Sequence, residues 1–116
     1  GSAGHDWWPA RDGMSVAVKA SNEQLMKGIA KEEGKHGIRA NSVLVGVIDA
    51  GQLHRLTELG QLDAVWVEET HRLLAIKRWG TPEDFARAVV AIASDALPYS
   101  TGEVINIDGG FHLRQL

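Results

Sequence analysis

Two apolar, β-branched runs constrain this chain more than anything else in it: residues 38–48 (IRANSVLVGVI) and 104–107 (VINI). Each reads as a buried strand. The residues between them carry helical spacing and no hairpin turn, so the strands join only through a crossover. A crossover makes them parallel, with a right-handed connection. A parallel pair needs helices to cover it, and the expected fold class is α/β. The second strand has sharp ends: Ser100-Thr101-Gly102 feeds it and Asp108-Gly109-Gly110 stops it.

The helices are legible from their punctuation. Residues 15–33 read as an amphipathic helix with Val18, Leu25, Met26, Ile29 and Ala30 on or near one stripe, stopped at Gly34. Residues 52–77 fit two helices broken near Gly60. Thr81-Pro82-Glu83-Asp84 marks a further start: Thr81 caps, Pro82 takes the first helical position, and two acids face the positive end of the helix dipole. That helix runs to about Ser94. Residues 1–13 read as loop, in which Trp7 and Trp8 are expected to cover a local apolar patch rather than wall a substrate. Gly1-Ser2 reads equally well as native sequence or as a cloning remnant.

Composition excludes several classes of function. The 116 residues amount to one domain or part of one. A net charge of -3 leaves no basic footprint for nucleic acid. The absence of cysteine removes disulfides, thiolate nucleophiles and thiolate metal sites, and suits a reducing cytoplasm. No apolar run reaches membrane-span length, and no signal-peptide pattern is present. The histidines at 5, 36, 54, 71 and 112 form no strong metal pair. Glu68 and His71, three apart, read as a solvated helix face, and no metal is expected.

Four blocks in order resemble the C-terminal half of the short-chain dehydrogenase/reductase family. KASNEQLMKGIAKEEGKHGIRANSV (19–43) resembles its helix after the active-site Tyr-x-x-x-Lys and the next strand. GVIDAG (46–51) resembles its Pro-Gly-x-x-x-Thr turn, RWGTPEDFARAVVAIASDA (78–96) its Arg-x-Gly-x-Pro-Glu-Asp helix, and TGEVINIDGG (101–110) its last strand. The resemblance implies half of a Rossmann-like, doubly wound parallel sheet. Residues 1–116 would then form a single partial domain, 1–13 loop and 14–116 family-like. It also implies hydride transfer between NAD(P) and an alcohol or carbonyl, with a tyrosine acid/base, a lysine that lowers its pKa and holds the ribose, and a substrate-orienting serine.

By position, Lys19 matches the lysine, Ser15 stands where the tyrosine belongs, and Ser2 falls at the serine. Gly46, Val47, Ile48 and Ala50 fall on the nicotinamide loop, beside Lys19 as cofactor-binding positions. Val45 replaces the proline before Gly46, and Ala50 the threonine. The one tyrosine, Tyr99, lies elsewhere, and the Gly-rich turn that binds pyrophosphate is absent. A lysine next to a phenol is what tunes it toward neutral pH; beside a serine it has no such partner. Ser15 with His5 or Asp6 lacks the strained turn of a hydrolytic nucleophile. Arg39 and Asn41 are read as strand-end hydrogen bonders.

The functional expectation is a divergent, nominally NAD(P)-dependent oxidoreductase that is inactive as an isolated chain. The alternatives are a non-catalytic oligomerisation module and a small-molecule binder using Trp7, Trp8 and Trp66. The resemblance places a dimer interface on the helix at 15–33 and the one after Gly51. The expected partners are therefore a second copy, as dimer or tetramer, or a chain supplying the missing half.

Overall fold

The computed structural model describes Ser2 and residues 13–113; His5, Asp6, Trp7 and Trp8 lie outside them. Strand β1 (Ser42–Val45) pairs in parallel with β2 (Val104–Ile107), Ser42 opposite Val104 and Val45 opposite Ile107. Ser2 makes an isolated parallel bridge to Val45. Since β2 occupies one side of β1, Ser2 flanks the other, and Ser2, Val45 and Ile107 form one row across the sheet. Leu44, at 1% exposure, is the buried centre of β1.

β1 is shorter than the apolar run 38–48. Gly37 takes a left-handed conformation (φ 76°) after a 3₁₀ turn at Gly34–His36. From there the chain bonds through side chains: Asn41 Oδ1 accepts from the Glu103 N–H and its amide donates to the Ser100 carbonyl. Past Val45 the Gly46 N–H still donates to the Ile107 carbonyl at 3.1 Å, and Gly46 packs so close to Asp108 that an added Cβ would lie 2.6 Å from the Asp108 Cα.

Helix α1 (Gly13–Glu33) starts two residues before the expected point. Its buried positions Val16, Glu23 and Ala30 recur every seven residues, two turns apart, on one line. The stripe read from the sequence faces outward: Val18 is 62% exposed, Leu25 64% and Ile29 41%, with Met14 beside them. Of the expected set only Ala30 is buried. The opposite, buried line carries Glu23 between Val16 and Ala30, so its burial is not marked by apolar spacing.

Helices α2 (Gly51–Glu58) and α3 (Ala64–Leu73) are separated by a left-handed Gly60 (φ 65°), as the spacing predicts. Asp63 caps α3 by accepting from the Val65 N–H. The helical pattern overshoots, since Leu74 turns extended and is buried. Helix α4 (Pro82–Ala93) packs on both strands. Thr81 and Asp84 close a reciprocal capping box. At the other end, Arg39 donates to the carbonyls of Ile92, Ala93, Ser94 and Ser100, tying α4 to the turn that feeds β2.

Candidate active site

In an open parallel sheet, ligands collect beyond the carboxyl ends of the strands. Here that edge is the row Ser2, Val45 and Ile107 with the loops that leave it. The loop after β1 is clamped. Gly80 N–H donates to the Val47 carbonyl and Asp49 N–H to the Gly80 carbonyl, each at 2.9 Å, with Ile48 and Gly80 forming a parallel bridge. A Cβ at Gly80 would meet Ile48 Cδ1 at 2.5 Å, so the Ile48 side chain would have to turn aside. Ala50, in extended conformation, caps α2 without a side-chain bond.

The structure thus puts Gly46, Val47, Ile48 and Ala50 together at the sheet edge and Ser2 beside Val45. Ser15 and Lys19 share a face of α1, one turn apart, Ser15 half-buried and Lys19 exposed. Neither side chain makes a hydrogen bond or ion pair among the described residues.

Two pairs that the sequence reading does not bring together lie at the same edge. Arg78 grips Asp84 through both carboxylate oxygens, at 2.6 and 3.1 Å. That guanidinium, with the Thr81 N–H, holds the Asp84 carboxyl well below the usual carboxylate range. The second is Asp108, whose side chain is 2% exposed, with His112 Nδ1 at 2.8 Å from its Oδ2. In the sequence Asp108 reads only as part of a strand stop and His112 only as a lone histidine. Their four-residue spacing was the signal available. These groups line a cavity of about 360 Å³ together with Val47, Ile48, Ile76 and Ile107.

Nearby, His54 bridges Asp49 (3.1 Å) and Glu58 (3.2 Å). The Asp49 hydrogen bond, then the Glu58 charge, raises its pKa. His71 stacks on Trp79, centroids 5.1 Å apart, and Trp66 packs against the same indole at 6.2 Å. His71 is thus an aromatic packing partner.

The fit of these residues to a dinucleotide is partial. Lys19 is a free cation suited to a ribose hydroxyl. Among the described residues no glycine-rich strand-to-helix turn offers a pyrophosphate its N–H groups: Gly109 and Gly110 lead only into a 3₁₀ turn, Phe111–Leu113. Gly46 is explained by its contact with Asp108. The set does not make a complete NAD(P) site.

Residues 2–112 match the family model described as enoyl-(acyl carrier protein) reductase. An L-rhamnose 1-dehydrogenase (NAD(P)(+)) of Sphingomonas sp. (strain SKA58) is 40% identical over 100 residues, 84% of this chain and 37% of that protein. A 3-oxoacyl-[acyl-carrier-protein] reductase of Chlamydia trachomatis is 34% identical over 95 residues, 82% of this chain and 36% of that protein. Among solved structures, a short-chain type dehydrogenase/reductase from Mycobacterium ulcerans superposes with a TM-score of 0.88 at 30% identity, covering 98% of this chain and 40% of that one. The Pseudomonas aeruginosa RhlG/NADP complex gives 0.80 at 31% identity, covering 97% and 44%. The chain therefore spans about two fifths of the proteins it matches. With the parallel β1–β2 pair, the clamped loop after β1 and the capped α4 in the same order, the chain belongs to the short-chain dehydrogenase/reductase family.

Proposed function

We propose that this chain is the substrate-side part of a nicotinamide-dependent oxidoreductase for alcohols or carbonyls, and that it is catalytically silent alone. The observation that carries this reading is Ser15 on the Lys19 face of α1. A serine hydroxyl is too weak an acid, and too short, to do the work of a phenol there. Losing a general acid costs about a hundred- to ten-thousand-fold in rate. Lys19, Gly46, Val47, Ile48 and Ala50 would meet the nicotinamide end of NAD(P), while a partner segment supplies the pyrophosphate turn. Ser2 would keep a place beside the substrate oxygen. The named relatives act on a sugar and on an acyl carrier thioester; a polyol or a 3-oxoacyl group is the corresponding substrate range. A reducing cytoplasm suits a chain without cysteine.

The test is calorimetric titration with NAD(H) and NADP(H), with the mass in solution measured on the same sample. No binding up to millimolar cofactor is expected. Micromolar binding would mean that the assembled protein rebuilds the site, and the silent reading would fall.

A second reading, an oligomerisation module, is favoured by the outward stripe Met14, Val18, Leu25 and Ile29 on α1. An apolar stripe on a long helix suits a helix of a second copy as dimer or tetramer, or of a chain carrying the missing half.

A further inference from the structure

Among the described residues, α2 is the α-helix without a buried position. Leu53 and Leu56 are only half-buried, and Ala50 caps the helix without a side-chain bond. A helix of eight residues is too short to hold in water unless something ties it down. The side chains of α2 make one hydrogen bond outside the helix, from the His54 ring to Asp49; Thr57 bonds only to the Leu53 carbonyl within it. Asp49 belongs to the clamped loop after β1, where its N–H donates to the Gly80 carbonyl. The His54 ring is therefore the side-chain tie between α2 and the sheet edge.

Nδ1 of that ring lies 3.1 Å from Asp49 Oδ1, and Nε2 lies 3.2 Å from Glu58 Oε1. A neutral imidazole has one N–H, so it donates toward one of these acids and turns a lone pair on the other. The imidazolium donates toward both. Asp49 precedes the helix and Glu58 is its last residue, so the three side chains run the length of α2. The charged ring also offsets Glu58, a carboxylate at the negative end of the helix dipole. The charged groups that act on the ring are these two acids; Arg55 is next in sequence, and adjacent helix positions do not face each other. Both acids raise the His54 pKa, the Asp49 hydrogen bond first. The stabilising effect of the proton is thus complete below the ordinary histidine value of about 6.5 and is lost as pH rises through the folded value.

We propose that His54 is a proton-operated latch on α2: its imidazolium fastens the helix to Asp49 on the loop after β1, and the loss of one proton releases it. Asp49 sits between Ile48 and Ala50, so on the nicotinamide reading the same proton sets how firmly the chain beside the cofactor is held. The latch itself needs no cofactor, and its failure would leave the oxidoreductase reading untouched.

The experiment uses the full chain at low salt, because exposed ion pairs are screened. NMR follows the histidine rings from about pH 5.5 to about pH 9, with His54 assigned by the resonance lost in His54→Gln. Hydrogen exchange of the α2 amides is measured over the same range. His54 is expected to titrate above the ordinary histidine value, and Asp49→Asn and Glu58→Gln should each bring its midpoint down. Protection of α2, corrected for the intrinsic pH dependence of exchange, should fall through that same midpoint. The expected fall is about tenfold for each pH unit by which His54 titrates above the ordinary value. The α4 amides should not follow it, and H54Q should leave α2 protection low at every pH. A His54 midpoint at or below the ordinary value would overturn the proposal. So would α2 protection that ignores pH, α2 amides unprotected even at the acid end, or a pH dependence that survives H54Q. The titration and the exchange are read on the unaltered chain, so the outcome stands even if a variant does not fold.

Discussion

Gly46 and Gly80 look alike in the sequence, both on family motif positions, yet they are small for different neighbours. An added Cβ at Gly46 strikes backbone, the Asp108 Cα at 2.6 Å; at Gly80 it strikes the end of a side chain, Ile48 Cδ1 at 2.5 Å. A side chain can turn away, whereas backbone in a paired sheet must shift as a unit. Gly46→Ala is therefore expected to cost about 1–3 kcal/mol, and Gly80→Ala less. Urea unfolding of the two variants, read at unchanged slope, checks the order. Residue types at this edge were legible because glycine, aspartate and proline mark turns by their own chemistry. The pairing of Asp108 with His112 was not read, because nothing in a sequence says that a strand-end aspartate is buried and must find a donor. Ser15 is the opposite case: its departure from the family pattern was plain from its place four residues before Lys19, with no structure needed.

At the scale of elements, α4 has both ends tied, and only one tie was readable. Thr81-Pro82-Glu83-Asp84 announces the N-terminus through local capping chemistry. Arg78 adds two bonds to Asp84 that spacing alone does not reveal. The C-terminal tie is Arg39, whose carbonyl partners in α4 lie 53 to 55 residues away and carry no mark in sequence. Arg39→Gln is expected to cost about 2 kcal/mol, in the range for hydrogen bonds to a charged group, seen as a lower midpoint in thermal or urea unfolding. Asp84 makes a prediction in pH. Its folded-state pKa is depressed, by Arg78 first, so its stabilising effect is present above the ordinary carboxylate value of about 3.9 and is lost as pH falls toward the folded value. Asp84→Asn should thus be less stable than the parent at pH 7, with the gap narrowing below about pH 4. Melting curves of the pair across that range test it; a gap independent of pH would mean that neither Arg78 nor the Thr81 N–H favours the ionised carboxylate. The helix α1 shows where pattern reading fails. Its apolar stripe was visible, but the opposite line is the buried one although Glu23 stands at its centre, and no apolar period marks it.

At the scale of the molecule, the chain has a thin interior and an extended form. The buried apolar side chains among the described residues are Val16, Ala30, Leu44, Leu74 and Ile92. The radius of gyration is 15.7 Å, against about 13 Å for a compact domain of this length. The α/β class was readable because two strands joined by helices admit few arrangements; the shape was not, because it depends on what covers the outer stripe. Self-association through α1 predicts a melting temperature that rises with protein concentration, and Leu25→Glu should abolish that dependence and halve the mass in solution or more. A concentration-independent transition in the parent would assign the stripe to another chain. The strand pairing carries one further consequence, for the order in which the protein is made. Ala40 at the head of β1 meets Thr101 at the head of β2, 61 residues later. Long loops close slowly, and the elements between these strands are the helices α2, α3 and α4, none of which can pair with β1 first. During synthesis β1 waits for β2 until the helices between them have emerged, while α1, made before them, presents its apolar stripe.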